Sequence, residues 1–142
     1  LGLFHRFVEF QLWLKKRKQQ IEFINPYSVI QWNINKKYMG ILQQRGVNIP
    51  PTLFLEPRVR TSLTDLLKQT GWSKAILKPA IEGGARHTYL FNGQNVGDYE
   101  HTFQRLVSKE SMLVQEFQED ITSKEEVSFM VFGGQYSHAA EI

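Results

Sequence analysis

The stretch Ala75-Ile76-Leu77-Lys78-Pro79-Ala80-Ile81-Glu82-Gly83-Gly84-Ala85-Arg86 decides how this chain is read. A short apolar run ends in a lysine, a proline follows, and paired glycines come next. That order describes a buried strand delivering one ammonium group to the mouth of a turn. The arrangement suits phosphate. Glycines let backbone N–H groups approach an anion closely, and the strand has already positioned the lysine's point charge. Lys-Pro before Gly-Gly also occurs in plain strand-to-hairpin turns, so the flanking segments have to decide.

Downstream, residues 87–91 read as the return strand and Asn92-Gly93 as a turn. Residues 98–109 have helical spacing, with Tyr99, Phe103, Leu106 and Val107 inward. Strands are predicted over 112–117 and 127–132, and Gly133-Gly134 turns the chain into another over 135–140. Upstream, Ser62 with Asp65 three residues on opens a helix with the buried stripe Leu63, Leu66 and Leu67, which Gly71 closes. Residues 52–55 read as a strand. The segment Asn48-Ile49-Pro50-Pro51 is the best candidate linker, because two prolines in series forbid a helix across them.

Before the prolines, the spacing predicts a helix over 35–45 with the face Tyr38, Ile41 and Leu42, capped by Asn33 or Asn35 and stopped by Gly46. Lys36 and Lys37 then fall in its first turn. Cations there oppose the helix dipole unless one meets an anion, although two solvated lysines on an exposed face are the commoner arrangement. Residues 21–24 read as a short strand ended by Asn25-Pro26. A first helix over 3–18 buries Leu3, Phe7, Phe10 and Leu14, with Phe4 and Val8 beside them. Its basic end, Lys15-Lys16-Arg17-Lys18, complements the dipole and is read as structural rather than as an RNA-binding patch.

Hairpins outnumber parallel crossovers in this order, which predicts an α+β fold with antiparallel or mixed sheets and excludes a doubly wound sheet. Apolar residues at 42% and charged residues at 22% of 142 are globular values, and a net charge of +3, much of it from the 15–18 cluster, does not mark the surface as a nucleic-acid face. The absence of cysteine excludes disulfides and thiolate metal sites and fits a cytoplasmic protein. No apolar run is long enough to span a bilayer. The chain opens at Leu1 and stops at Ile142 inside a predicted strand, so a piece of a longer polypeptide is expected. Neither the Gly-x-x-x-x-Gly-Lys-Ser/Thr nor the Gly-x-Gly-x-x-Gly fingerprint is present, and a nucleotide would be held another way.

Four segments, in order, resemble the ATP-grasp superfamily, most closely its glutathione-synthetase-like branch of carboxylate-amine ligases. The first runs from Asn25-Pro26 through Gln31-Trp32-Asn33-Ile34-Asn35-Lys36-Lys37-Tyr38-Met39 to Gly46-Val47 and Pro50-Pro51-Thr52. The second is Ile76-Leu77-Lys78-Pro79 with Gly83-Gly84. The third, Met112-Leu113-Val114-Gln115-Glu116-Phe117, is similar to the adenine hinge. The fourth runs from Glu125-Glu126-Val127-Ser128-Phe129 to Gly133-Gly134-Gln135-Tyr136-Ser137-His138-Ala139.

The resemblance implies an incomplete ATP-grasp fold: the end of a preceding lobe and a linker helix over 1–50, the small lobe over 51–123, and the start of the C-terminal lobe over 124–142. It implies ATP as ligand, with Lys36, or Lys37 if the register shifts by one, and Lys78 on the phosphates, and Gly83 and Gly84 in the loop above them. Ile76 would lie against adenine, Gln115, Glu116, Phe117 and Gln118 would offer main chain to its edge, and Glu126 would accept from the ribose. Two departures stand out. Glu125 replaces a frequent glycine, and Glu82 adds negative charge beside the phosphate loop. The implied chemistry is ATP-driven activation of a carboxylate as an acyl phosphate, followed by attack of an amine. The implied Mg²⁺ ligands are expected beyond Ile142, so the 142-residue chain alone is not expected to turn over ATP.

The alternative is a non-catalytic module that holds a protein or nucleic-acid partner through the basic helix end and exposed aromatics. His5, His87, His101 and His138 lack metal-ligand spacing. Ser137 and His138, adjacent on a strand, should face apart, and Trp13, Trp32 and Trp72 are read as core.

Overall fold

Burial along the decisive strand alternates with period two. Ala75, Leu77 and Pro79 are buried, whereas Lys74, Ile76 and Lys78 are half-buried. This asymmetry organises the computed structural model, which describes residues 6–81, 86–122 and 127–141. Four strands, β1 (Thr52–Leu55), β2 (Lys74–Pro79), β3 (Tyr89–Asn92) and β4 (Met112–Glu116), form a sheet in the order β1-β4-β2-β3. Every neighbouring pair is antiparallel.

Two helices, α4 (Leu63–Thr70) and α5 (Val96–Val107), cover one face of this sheet. Leu63, Leu66, Leu67, Phe103, Leu106 and Val107 form a single core with Leu55, Ala75, Leu77, Phe91, Met112 and Val114 from the strands. The helix starts as its sequence requires: Ser62 Oγ accepts from the Asp65 N–H at 3.0 Å. The other face carries Thr52, Phe54, Ile76, Lys78, Leu113 and Gln115. It is approached by α3 (Tyr38–Gln44), whose Gly40 lies so close to the Phe54 ring that an added Cβ would meet it at 3.3 Å.

The segment before β1 departs from the sequence reading. Residues 21–24 form no strand. The Gln20 and Ile21 N–H groups fold back onto Arg17 O, and Ile24 is fully exposed. Instead of ending an element, Pro26 begins one: α2 (Tyr27–Ile34) starts directly after it, where a missing N–H costs nothing. The predicted helix over 35–45 is shorter than expected, because Asn35 is extended at φ −104° and ψ 115°. Lys36 and Lys37 therefore precede α3 rather than occupy its first turn. At its far end, Val47 N–H bonds Leu42 O and Gly46 N–H bonds Gln43 O, a Schellman closure with Gly46 at φ +83°.

In α1 (Phe7–Arg17) only Leu14 is fully buried, Phe7 and Phe10 are half-buried, and Val8 is exposed; Leu3 and Phe4 lie outside the described residues. Trp72 packs against the core, but Trp13 and Trp32 are exposed, contrary to expectation. The Trp32 ring instead lies 4.7 Å from that of Tyr38, bracketing the break between α2 and α3. The strands β5 (Val127–Phe132) and β6 (Gln135–Glu141) form a separate two-stranded ribbon, turned by Gly133 and Gly134 at φ +57° and +80°. On it, Ser137 Oγ and His138 Nδ1 lie 3.0 Å apart and exposed, so the expectation that they face apart does not hold.

One contact tying α5 to α4 had no local signal. The Glu100 carboxylate accepts from Leu63 N–H at 3.1 Å, Thr64 N–H at 2.9 Å and the Thr64 hydroxyl at 3.1 Å, capping α4 from another element. Replacing Glu100→Ala is expected to cost about 1–3 kcal/mol. The urea midpoint should fall at unchanged slope, and an unmoved midpoint would show that the cap contributes nothing.

Candidate functional site

The site begins with a peptide rather than a side chain. Because Asn35 is extended, the N–H of Lys36 has no helical acceptor, and it donates to Ala80 O at 2.8 Å. The Ala80 N–H in turn donates to Ser111 O at 2.9 Å. Ala80, 1% exposed, thus joins the α2–α3 link, the end of β2 and the turn entering β4. Asn35 Oδ1 holds the link in shape by accepting from Lys37 N–H at 3.0 Å.

This junction sets Lys36 against Lys78, two residues before Ala80. Burial lowers the pKa of the Lys36 ammonium. The Lys78 pKa is lowered by burial first and by the positive charge of Lys36 second. Lys37 goes elsewhere, with its Nζ 2.6 and 2.7 Å from the two carboxylate oxygens of Glu56. Of the adjacent lysines, Lys36 is therefore the one that acts on Lys78.

Beside the pair, Arg86 grips Glu110 with two hydrogen bonds of 3.1 and 2.7 Å and reaches Ile81 O at 3.3 Å. Both side chains are largely buried. Glu110, Ser111, Asn35, Ala80 and Ile81 line a cavity of about 190 Å³. Across the sheet face, Lys78 Nζ donates to Gln115 Oε1 at 2.9 Å, and Gln115 Nε2 donates to Thr52 Oγ1 at 2.7 Å.

Toward the other end of β4, the N–H groups of Glu116 and Phe117 donate to Pro51 O and Lys74 O at 2.9 and 3.1 Å. Gln118 Nε2 donates to Glu116 O at 3.3 Å, and Lys74 pairs with Glu119 at 2.7 Å. The candidate linker is therefore docked, with Pro51 O bound to β4 and Pro50 O accepting from the Thr52 hydroxyl.

Of the residues singled out from sequence, Ile76, Lys78 and Gln115 share one face of the sheet, and Lys36, tied to the end of β2 through Ala80, acts on Lys78. Glu116, Phe117 and Gln118 follow Gln115 at the Lys74 end of the sheet. Gly83, Gly84 and Glu126, with Glu82 and Glu125, lie outside the described residues. The sequence reading gives no side-chain role to Thr52, Arg86 and Glu110, since their partners are 63 and 24 residues away. Among the described residues no three His, Asp or Glu side chains are grouped to hold a metal ion, and no helix is long and apolar enough to cross a membrane.

Lys36→Gln removes one of the two causes that lower Lys78, so the Lys78 titration midpoint, followed by NMR of its side chain, should rise toward the ordinary lysine value. An unmoved midpoint would separate the two groups. A lysine depressed in the folded state binds fewer protons than in the unfolded chain between its two pKa values. Stability of the parent chain should therefore increase as pH rises through the lowered Lys78 value toward 10.5, and less so in the variant.

No protein-family model matches the sequence, and no curated protein matches it. Solved structures do. The D-cycloserine synthetase DcsG superposes with a TM-score of 0.83 at 20% identity, over 95% of this chain and 47% of that one. The ATP-grasp ligase PsnB, complexed with precursor peptide PsnA2 and AMPPNP, matches at a TM-score of 0.58 and 18% identity, over 99% of this chain and 47% of that one. PsnB with a minimal precursor, Mg and ADP gives 0.53 at 22% identity, over 78% and 33% of the two chains. The chain thus spans less than half the length of these structures. Its α+β architecture, with an antiparallel four-stranded sheet, matches part of the ATP-grasp fold of ligases.

Proposed function

We propose that this chain is the ATP-binding portion of an ATP-grasp carboxylate-amine ligase, with Lys36 and Lys78 as the lysines that meet the triphosphate. The observation that carries this reading is the convergence of two partly desolvated ammonium groups at the Ala80 junction. Bringing like charges together costs free energy, and an anion between them offsets that cost. Lys37, neutralised by Glu56, is not needed for the role.

A nucleotide would lie along β2 and β4. Its adenine would be near Glu116, Phe117 and Gln118, Ile76 beneath it, and its phosphates at Lys78, roughly 13 Å of strand from Lys74. Because the Glu116 and Phe117 N–H groups already bond within the sheet, carbonyl oxygen is what these two residues offer the adenine amino group, with one lone pair of Glu116 O taken by Gln118 Nε2. In the proposed ligase a substrate carboxylate oxygen attacks the γ-phosphorus, forming an acyl phosphate and releasing ADP. An amine then attacks the acyl carbon and phosphate leaves. The lysines neutralise charge on the transferring group and hold it in line.

Mg²⁺ would accompany the nucleotide; among the described residues no three His, Asp or Glu side chains are grouped to hold it. A nucleic-acid module is the weaker reading. In the basic run of α1, Arg17 bonds Gln20 at 2.7 Å and Lys18 Nζ sits 4.5 Å from the centre of the Tyr27 ring, so half of the cluster is engaged within the chain.

Melting with MgATP and with polynucleotide separates the readings. MgATP at about ten times its dissociation constant should raise the midpoint by about 4 °C, Lys78→Ala should abolish the shift, and polynucleotide should have no effect. A shift with polynucleotide alone, lost when residues 15–18 are neutralised, would overturn the proposal.

A further inference from the structure

We infer that Gln115 is a positioning residue for the phosphate-facing lysine: its side-chain amide, locked by Thr52, fixes the Lys78 ammonium without cancelling its charge. The inference rests on the nucleotide reading above and goes beyond it, since the resemblance gives this position a main-chain role only.

Gln115 is conspicuous as a buried polar side chain, 8% exposed, in a strand whose neighbours Met112, Leu113 and Val114 are fully buried. Its register places it between Thr52 on β1 and Ile76 on β2, with Lys78 as a diagonal neighbour on the same face. The hydrogen bonds have a single consistent polarity. The Thr52 hydroxyl donates to Pro50 O at 2.7 Å, so Oγ1 is left to accept, and the Gln115 NH₂ group faces it at 2.7 Å. The amide oxygen must then face Lys78, which has only donors to offer, at 2.9 Å. Turning the amide over would set two donors against each other at Lys78. The chain from Pro50 through Thr52 and Gln115 therefore ends in one acceptor aimed at one ammonium group.

A carboxylate could hold the lysine as firmly, but it would pair with the charge that an anion needs. An amide orients the group and leaves it cationic. Among the described residues, the charge that acts on Lys78 from outside the sheet is that of Lys36. On the same face of β2, Lys74 is paired with Glu119, and Glu116 points to the opposite face of β4. Nothing in this set duplicates what Gln115 does.

Three variants test the inference. In Gln115→Glu, the Lys78 titration midpoint in the ligand-free protein should rise and MgATP affinity should fall by about tenfold. Gln115→Met, close in volume, should also weaken MgATP about tenfold through lost orientation. Thr52→Val removes only the acceptor that locks the amide and should weaken binding less; it serves if Gln115→Met fails to fold. An unchanged Lys78 midpoint in Gln115→Glu, or parent-like MgATP affinity in Gln115→Met, would overturn the inference. The two proposals fail separately. If the parent chain does not bind MgATP, the nucleotide reading falls and the ligand-free titration still decides whether Gln115 governs Lys78.

Discussion

The two hydrogen bonds on either side of Ala80 are the constraint on which the site depends. One draws the link between α2 and α3 onto the end of β2, and the other fastens that end to the turn entering β4. Without the first, Lys36 would sit on a surface link with no reason to approach the sheet. With it, Lys36 acts on Lys78: burial lowers the pKa of both ammonium groups, and the charge of Lys36 lowers that of Lys78 further. The extended backbone at Asn35 makes the bond possible by leaving the Lys36 N–H without a helical acceptor.

The sheet divides its labour by face. One side carries the apolar residues that α4 and α5 cover and supplies the core. The other carries the hydrogen-bonded row Thr52, Gln115 and Lys78 beside the apolar Ile76, on a well-packed support. Strands hold such groups more exactly than loops do, which is what charge placement at a phosphate requires. The Arg86–Glu110 pair adds a second brace at the same corner by fixing Arg86 to Ile81 O and to the turn before Ser111.

Much of the fold was legible because its signals are local. The short apolar run ending in Lys78-Pro79 marked β2, the Ser62–Asp65 pair marked the start of α4, and Gly133-Gly134 marked the hairpin. The misreadings arose where a local signal had two meanings. Asn25-Pro26 could end a strand or begin a helix, and the unpartnered apolar run 21–24 has no strand beside it among the described residues. Asn35 is one of the two caps the sequence offers for the helix over 35–45, but its effect on the Lys36 N–H depends on Ala80, 44 residues beyond Lys36 in the chain. Gln115 likewise carries only a main-chain role in the sequence reading, because its side-chain partners Thr52 and Lys78 are neighbours only in the folded sheet.

The most direct test of the central claim is a crystal structure of the chain with a non-hydrolysable ATP analogue. The account predicts phosphate oxygens within hydrogen-bond distance of both the Lys36 and Lys78 ammonium groups, with the Lys36–Ala80 and Ala80–Ser111 bonds retained. An analogue bound away from this corner, or bound with either lysine turned aside, would contradict it.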